Sequence, residues 1–199
     1  MPSQVGGREL TQIVGFCGYA QSGKDTAASF LVERGWKRLA FADILRQSLY
    51  NLNPPAVLEE GYDETGELTG CRLLRVQEIV DAMGWDVAKT VFNEIRELLQ
   101  RFGTEVGREL YGESFWVDRV MNQLVHPGRY VITDVRFPNE EAAVHAAGGR
   151  LFRIARGGVV AVNGHASEDI ERLKVDGVIP NTSDMAKFKE VVLEAVGLK

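Results

Sequence analysis

Gln12-Ile13-Val14-Gly15-Phe16-Cys17-Gly18-Tyr19-Ala20-Gln21-Ser22-Gly23-Lys24-Asp25-Thr26 is the stretch on which the fold turns. Its first six residues form an unbroken run suited to a strand buried on both faces. Residues 18–24 then fit G-x-x-x-x-G-K, between that strand and a helix expected over Asp25 to Arg34. Glycines let backbone N–H groups turn inward as an anion nest, and the helix that follows presents its positive end. The segment reads as a phosphate-binding loop. Gly18, Tyr19, Ala20, Gln21, Ser22 and Gly23 make the main-chain cup, and Lys24 is placed to reach the β- and γ-phosphates of a nucleotide.

The residue after the lysine departs from the general motif, which asks for Ser or Thr to ligate Mg²⁺; here Asp25 stands first and Thr26 second. A carboxylate beside a triphosphate is repelled unless a cation lies between them. Mg²⁺ favours carboxylate oxygens and retained waters, so Asp25 can contact it directly or through water, with Thr26 donating to the α-phosphate. The alternative is that Asp25 only stabilises the helix N-terminus. A second acid ends an apolar strand, Tyr130-Val131-Ile132-Thr133-Asp134. In phosphate-loop proteins the Mg²⁺-associated acid stands at such a strand end, which makes Asp134 the candidate, although strand-end aspartates also form turns. Arg136 follows two residues later and can approach a bound phosphate.

Outward from these segments, short apolar runs alternate with helical patterns, the rhythm of an α/β fold with a mostly parallel sheet. Further strands are expected at Trp36 to Phe41, Arg129 to Asp134, Arg150 to Ala155 and within Val175 to Ile179. Asp43 opens a helix carrying Leu45, Leu49 and Leu52, stopped by Pro54-Pro55. Residues 53–70 are acidic and glycine-bearing and read as a mobile loop. A helical middle follows, with Leu73, Val76, Ile79, Val80 and Met83 on one face and Val91, Ile95, Leu98, Leu99 and Phe102 on another, closed by Gly103. Ser114 is placed to cap a helix reaching Val125, Asn139 to cap Glu140 to Ala147, and the last helix starts near Ser183. One domain over 1–199 is expected, its core about 12–52 and 129–199 and a helical substrate-binding region about 53–128.

Composition sets the outer limits. Of 199 residues 45% are hydrophobic, enough for a core, and folding at this size buries ~70% of the unfolded chain's surface. Lys plus Arg number 23 against 28 for Asp plus Glu, so the net charge of −5 offers no basic footprint for duplex nucleic acid. Cys17 and Cys71 share no metal or redox spacing, and no run has signal-peptide or membrane-spanning character, so a cytoplasmic location is expected. Helical stripes serve a core or a subunit interface equally well, which leaves a homodimer open.

Phosphoryl transfer asks for alignment and charge neutralisation more than for a strong base. Arg46, Arg108, Arg136, Arg153 and Arg156 are the candidates to meet phosphate, with Arg156, beside Gly157-Gly158, suited to a closing lid. Gln100, Asp43, Trp116 and Tyr111 are candidates for base selection by hydrogen bonding or stacking; the competing roles are a helix-face glutamine, a helix cap and core aromatics. His165, Ser167 and Glu168 suit a cap or lid contact.

Several of these residues also form an ordered set: Gly18 to Ala27, Phe41-Ala42-Asp43-x-Leu45-Arg46, Leu99-Gln100-x-x-Gly103-Thr104-Glu105-x-Gly107-Arg108, Trp116-Val117 and Thr133 to Glu140. Gly148-Gly149, Arg153-Ile154-x-Arg156, His165-x-Ser167-Glu168 and Ile179-x-Asn181 continue it. With this set the chain resembles phage-type deoxynucleoside monophosphate kinases from about residue 12 to the C-terminus, including the Asp after the motif lysine. The resemblance implies a three-layer nucleoside monophosphate kinase fold with a parallel five-stranded sheet in order 2-3-1-4-5 and a helical insertion for the acceptor. It implies the reaction ATP + dNMP → ADP + dNDP with Mg²⁺, serving phage DNA precursor supply in a bacterial cytoplasm, and a place for Asn181 near the donor adenine. Two other readings stay open: phosphorylation of a hydroxymethylated pyrimidine in a nucleotide or in DNA, and a non-catalytic nucleotide-binding switch.

Overall fold

The computed structural model describes residues 4–5, 8–9, 11–158, 170–182 and 184–198. Along the chain run β1 (Gln4–Val5), β2 (Arg8–Glu9), β3 (Gln12–Cys17), α1 (Lys24–Val32), β4 (Lys37–Leu39) and α2 (Phe41–Leu52). Next come β5 (Pro55–Tyr62), β6 (Leu68–Arg75), α3 (Val76–Val91), α4 (Asn93–Arg101), a π-helical stretch Phe102–Leu110 and α5 (Phe115–Met121). The chain ends with β7 (Arg129–Ile132), α6 (Pro138–Ala146), β8 (Arg150–Ala155), a 3-10 turn Ile170–Arg172, β9 (Gly177–Pro180) and α7 (Met185–Ala195).

Two compact units divide the chain, residues 1–41 with 117–199 and residues 42–116. The first is built on a parallel sheet in the order β4-β7-β3-β8-β9. Numbered among themselves along the chain, those five strands stand 2-3-1-4-5, the expected order. The central strand β3 is buried from Ile13 to Cys17, as its apolar run requires, and pairs with β7 (Gly15 opposite Ile132) and β8 (Cys17 opposite Arg153). Val14, Phe16, Ala27, Leu31, Ile154, Phe188 and Val192 form the core where the sheet meets α1 and α7. The placement of β3 beside both β7 and β8 brings three strand ends to one edge of the sheet.

The second unit has its own core of Leu49, Val57, Leu74, Val76, Ile79, Ala88, Ile95 and Leu99. Here several expectations are corrected. Residues 53–70 are not a loop: β5 and β6 form an antiparallel hairpin in which Glu59 faces Arg72. Asp63 sets its turn, one carboxylate oxygen accepting from Thr65 N (2.8 Å), Thr65 Oγ1 (2.6 Å) and Glu67 N (3.0 Å). Glutamates are poor strand formers by propensity, but cross-strand pairing and this turn outweigh them. Leu73 therefore lies on β6, 61% exposed, rather than on a helical face.

Gly103 does not close α4, because the helix runs on as the π-helical stretch to Leu110. The helix after Ser114 stops at Met121, leaving Leu124 and Val125 beyond it. Phe41 joins α2 and not β4, since Asp134 Oδ1 accepts its N–H at 2.8 Å and so completes the helix start. α6 begins at Pro138, not after Asn139: buried Glu140 turns its carboxylate back onto the N–H groups of Arg136 (2.7 Å) and Phe137 (3.1 Å). α7 is capped by Asp184, whose side chain accepts from Lys187 N at 2.9 Å; Ser183, His165, Ser167 and Glu168 lie outside the described residues.

Candidate active site

Between β3 and α1 the chain curls tightly. Gly18 (φ 147°), Gln21 (φ 62°) and Gly23 (φ 102°) all have left-handed backbone. A Cβ on Gly18 would lie 2.7 Å from both the Ile154 carbonyl and Ser22 Oγ, and one on Gly23 would lie 2.5 Å from Asn181 Nδ2. Only glycine satisfies both the angle and the space at these two places. Lys24, the first residue of α1, folds its ammonium over the cup and donates to the carbonyls of Gly18 and Tyr19, each at 2.7 Å. Burial lowers its pKa and the Arg136 charge lowers it further, against the opposing pull of Asp25, Cys17 and Asp134. Arg136, Asp25 and Asp134 are thus all within electrostatic reach of the one ammonium group.

Asp134 stands two residues beyond β7, next to the loop strand, half-buried and bonded to Phe41 N. Asp25 is exposed and Thr26 half-buried on the first turn of α1. Arg136 is exposed, its backbone held by Glu140. Arg156 is exposed and donates to the Gln21 carbonyl at 3.3 Å, while Asn181 Nδ2 donates to the Ser22 carbonyl at 2.9 Å. Beside the loop these two residues, with Gly157 and Thr182, line an open cavity of about 350 Å³.

Arg153 is engaged differently from the phosphate-binding role read in the sequence. Its Nη2 donates to the carbonyls of Ile170 (2.8 Å), Glu171 (3.2 Å) and Leu173 (3.4 Å), tying the 3-10 turn to β8. Burial pushes the neighbouring Cys17 thiol up, against the pull of Arg153 and Lys24. Tyr19 links the loop to the same turn, its hydroxyl donating to Glu171 Oε1 at 3.1 Å. Glu171 and Thr182 are site neighbours that sequence reasoning missed, while Glu140 and Gly157 were named in the sequence without these contacts. The glycine pair beside Arg156 was a usable signal for Gly157; Glu171 and Thr182 carry none of their own.

In the unit 42–116, Asp43 and Arg46 pair at 3.8 Å one turn apart on α2. Gln100 is exposed on α4, and Arg108 is half-buried within the π-helical stretch. Tyr111, 61% exposed, stacks on Phe115 with centroids 4.9 Å apart. Trp116 is buried and not an open wall for a base: its indole N–H donates to the Gly103 carbonyl at 2.9 Å, and its ring meets Phe115 edge-on. Among the described residues no group of three or more His, Cys, Asp and Glu side chains forms a metal cage by itself. No helix there is long and apolar enough to cross a membrane.

A parallel α/β sheet whose central strand feeds a lysine-bearing anion cup defines the P-loop class. The family model for deoxynucleotide monophosphate kinases matches residues 38–192, and the chain belongs to that family. The matched span begins after the phosphate loop, so loop geometry and family membership are separate observations. A protein of Acanthamoeba polyphaga mimivirus, provisionally named a deoxynucleotide monophosphate kinase, is 27% identical over 92% of this chain and 95% of its own. The deoxynucleoside-5'-monophosphate kinase of Escherichia phage T5 is 37% identical over 71 residues, 35% of this chain and 28% of that one. Among solved structures the chain is similar to a dephospho-CoA kinase from Campylobacter jejuni, with a TM-score of 0.46, 14% identity and coverage of 93% of this chain and 94% of that one. This is a nucleotide kinase.

Proposed function

We propose that the chain transfers the γ-phosphoryl group of ATP to a deoxynucleoside monophosphate, giving ADP and the diphosphate. The observation that carries the reading is Lys24, held over a glycine-curled cup with Asp134 and Arg136 within its electrostatic reach. The acceptor is a phosphate oxygen already ionised near neutral pH, so no catalytic base is needed. The cup's amides and Lys24 hold the donor's phosphates, and the cavity at Asn181 and Thr182 takes its nucleoside. Arg136 and Arg156 neutralise charge developing in flight, and Arg108, Arg46, Gln100 and Tyr111 serve the acceptor.

Mg²⁺ suits the donor set present, two carboxylates with hard oxygens at Asp25 and Asp134, since this ion takes one or two carboxylates and keeps its waters. Asp25 and Asp134 would hold it directly or through its waters, and the charge it would supply there would offset that of the donor's phosphates. The two viral relatives named above support a setting in viral DNA precursor supply.

A coupled ADP-release assay over dTMP, dGMP, dCMP, dAMP and their ribose counterparts tests the reading. Acceptor-dependent ADP with at least one deoxynucleotide is expected. ADP release that no monophosphate stimulates would sink it.

A further inference from the structure

From Phe102 to Leu110 the chain is wound as a π-helix, continuing α4 without a break. Such stretches are rare and rarely so long, because the wide winding weakens packing along the helix axis. Something outside the helix must therefore favour it, and that something is visible. A π winding relates residue i to residue i+5, the relation between Gly103 and Arg108. The Gly103 carbonyl accepts the Trp116 indole N–H at 2.9 Å. One turn on, Gly107 lies directly beneath the same ring: a Cβ there would press on Nε1 and lie 2.5 Å from Cε2. Trp116 is itself held by Phe102 (6.0 Å between centroids) and Phe115 (4.8 Å). The ring thus grips the helix at two points that flank the turn leading to Arg108, and the next residue after Gly107 is that arginine. Tightening to α geometry would rotate Arg108 away from the gripped face, because each residue then advances further around the axis.

We infer that Trp116 is a positioning residue for Arg108: its indole N–H and close fit on Gly107 hold the π winding that aims the guanidinium at the acceptor phosphate. The inference rests on the proposed role of Arg108. It also reassigns Trp116, whose ring touches helix and neighbouring aromatics rather than a base.

Trp116→Phe keeps an aromatic ring and removes the donor. The KM for the best acceptor found in the ADP assay is expected to rise about tenfold, with the KM for ATP unchanged within about twofold. Should that variant fold poorly, 3-benzothienylalanine at position 116 keeps the bicyclic shape with a sulfur that cannot donate, and the same split is expected. Arg108→Ala, alone and combined with each replacement, completes a double-mutant cycle. If Trp116 acts through Arg108, removing the indole N–H adds less than about twofold to the Arg108→Ala defect. Multiplying losses, or equal losses for ATP and acceptor, would overturn the positioning role. An Arg108→Ala enzyme with unchanged acceptor KM would instead overturn the role given to Arg108 in the proposed function.

Discussion

At the scale of single residues the protein turns on Lys24. Its ammonium rests on two loop carbonyls, half-buried and within reach of the Arg136 charge, and both surroundings disfavour its own charge. On the proposed function, a bound polyphosphate would reverse that balance. Free enzyme is therefore expected to lose the Lys24 proton below the ordinary lysine range as pH rises, and a nucleotide complex to hold it to higher pH. The alkaline limb of kcat/KM for ATP is expected at lower pH than the limb of kcat. Coincident limbs in the two profiles would show that Lys24 does not meet the nucleotide. Lys24→Ala is expected to lower kcat on the order of a hundredfold or more while far-UV circular dichroism is unchanged, and a rate near wild type would remove the loop from the mechanism. Lys24 was legible because every feature that orients it, the buried strand, the glycines and the helix start, lies within a dozen residues of it. Asp134 was legible by its strand end. Its bond to Phe41 N, 93 positions away, was not.

At the scale of elements, the 3-10 turn Ile170–Arg172 is held from two sides, by Arg153 on β8 and by Tyr19 of the phosphate loop. Of the three carbonyls that accept from Arg153, those of Ile170 and Leu173 are part-buried, and leaving such an acceptor unpaired costs up to about 1–3 kcal/mol. Arg153→Met is accordingly expected to speed amide exchange at 170–173 at least about tenfold and to leave α4 protected. Unchanged exchange there would show the guanidinium to be dispensable to the turn. The interior of the sheet was readable from apolar runs because burial on both faces leaves no other composition possible. The β5–β6 hairpin was not, because its acidic side chains obscure a turn made by one Asp63 carboxylate. The end of α4 was misread for a related reason. Gly103 looks like a stop signal, but its missing side chain leaves room for Leu45, with a Cβ placed 3.0 Å from Leu45 Cδ2.

Over the whole molecule, two units each close their own core, and a net charge of −5 surrounds a local cluster of cationic groups at the loop. Ties between distant segments hold the first unit together, and one is acid-sensitive. Asp176 joins the start of β8 and the approach to β9, accepting from Leu151 N (2.7 Å) and facing His145 Nε2 (3.1 Å). Burial pushes its carboxyl pKa up, but the Leu151 N–H and His145 outweigh that and leave it below the usual range. A depressed carboxyl pKa stabilises the fold above the unfolded value, and the gain disappears as pH falls through the folded one. Asp176→Asn is expected to lower Tm at pH 7, with the gap to wild type closing in acid, below about pH 4. A gap of constant size across that titration would assign the loss to packing.

What the chain's own order determined is local. A buried strand, a glycine-turned cup, a lysine and a helix follow one another with no distant partner needed, so loop and sheet class were within reach, while the strand order was implied only by the family resemblance. What only the tertiary structure decided are the partners that share no sequence neighbourhood: Asp134 with the start of α2, Arg153 with three carbonyls of a later turn, and Trp116 with two glycines of a widened helix. Each depends on where a polar group finds its complement once water is excluded, and spacing along a chain carries no record of that.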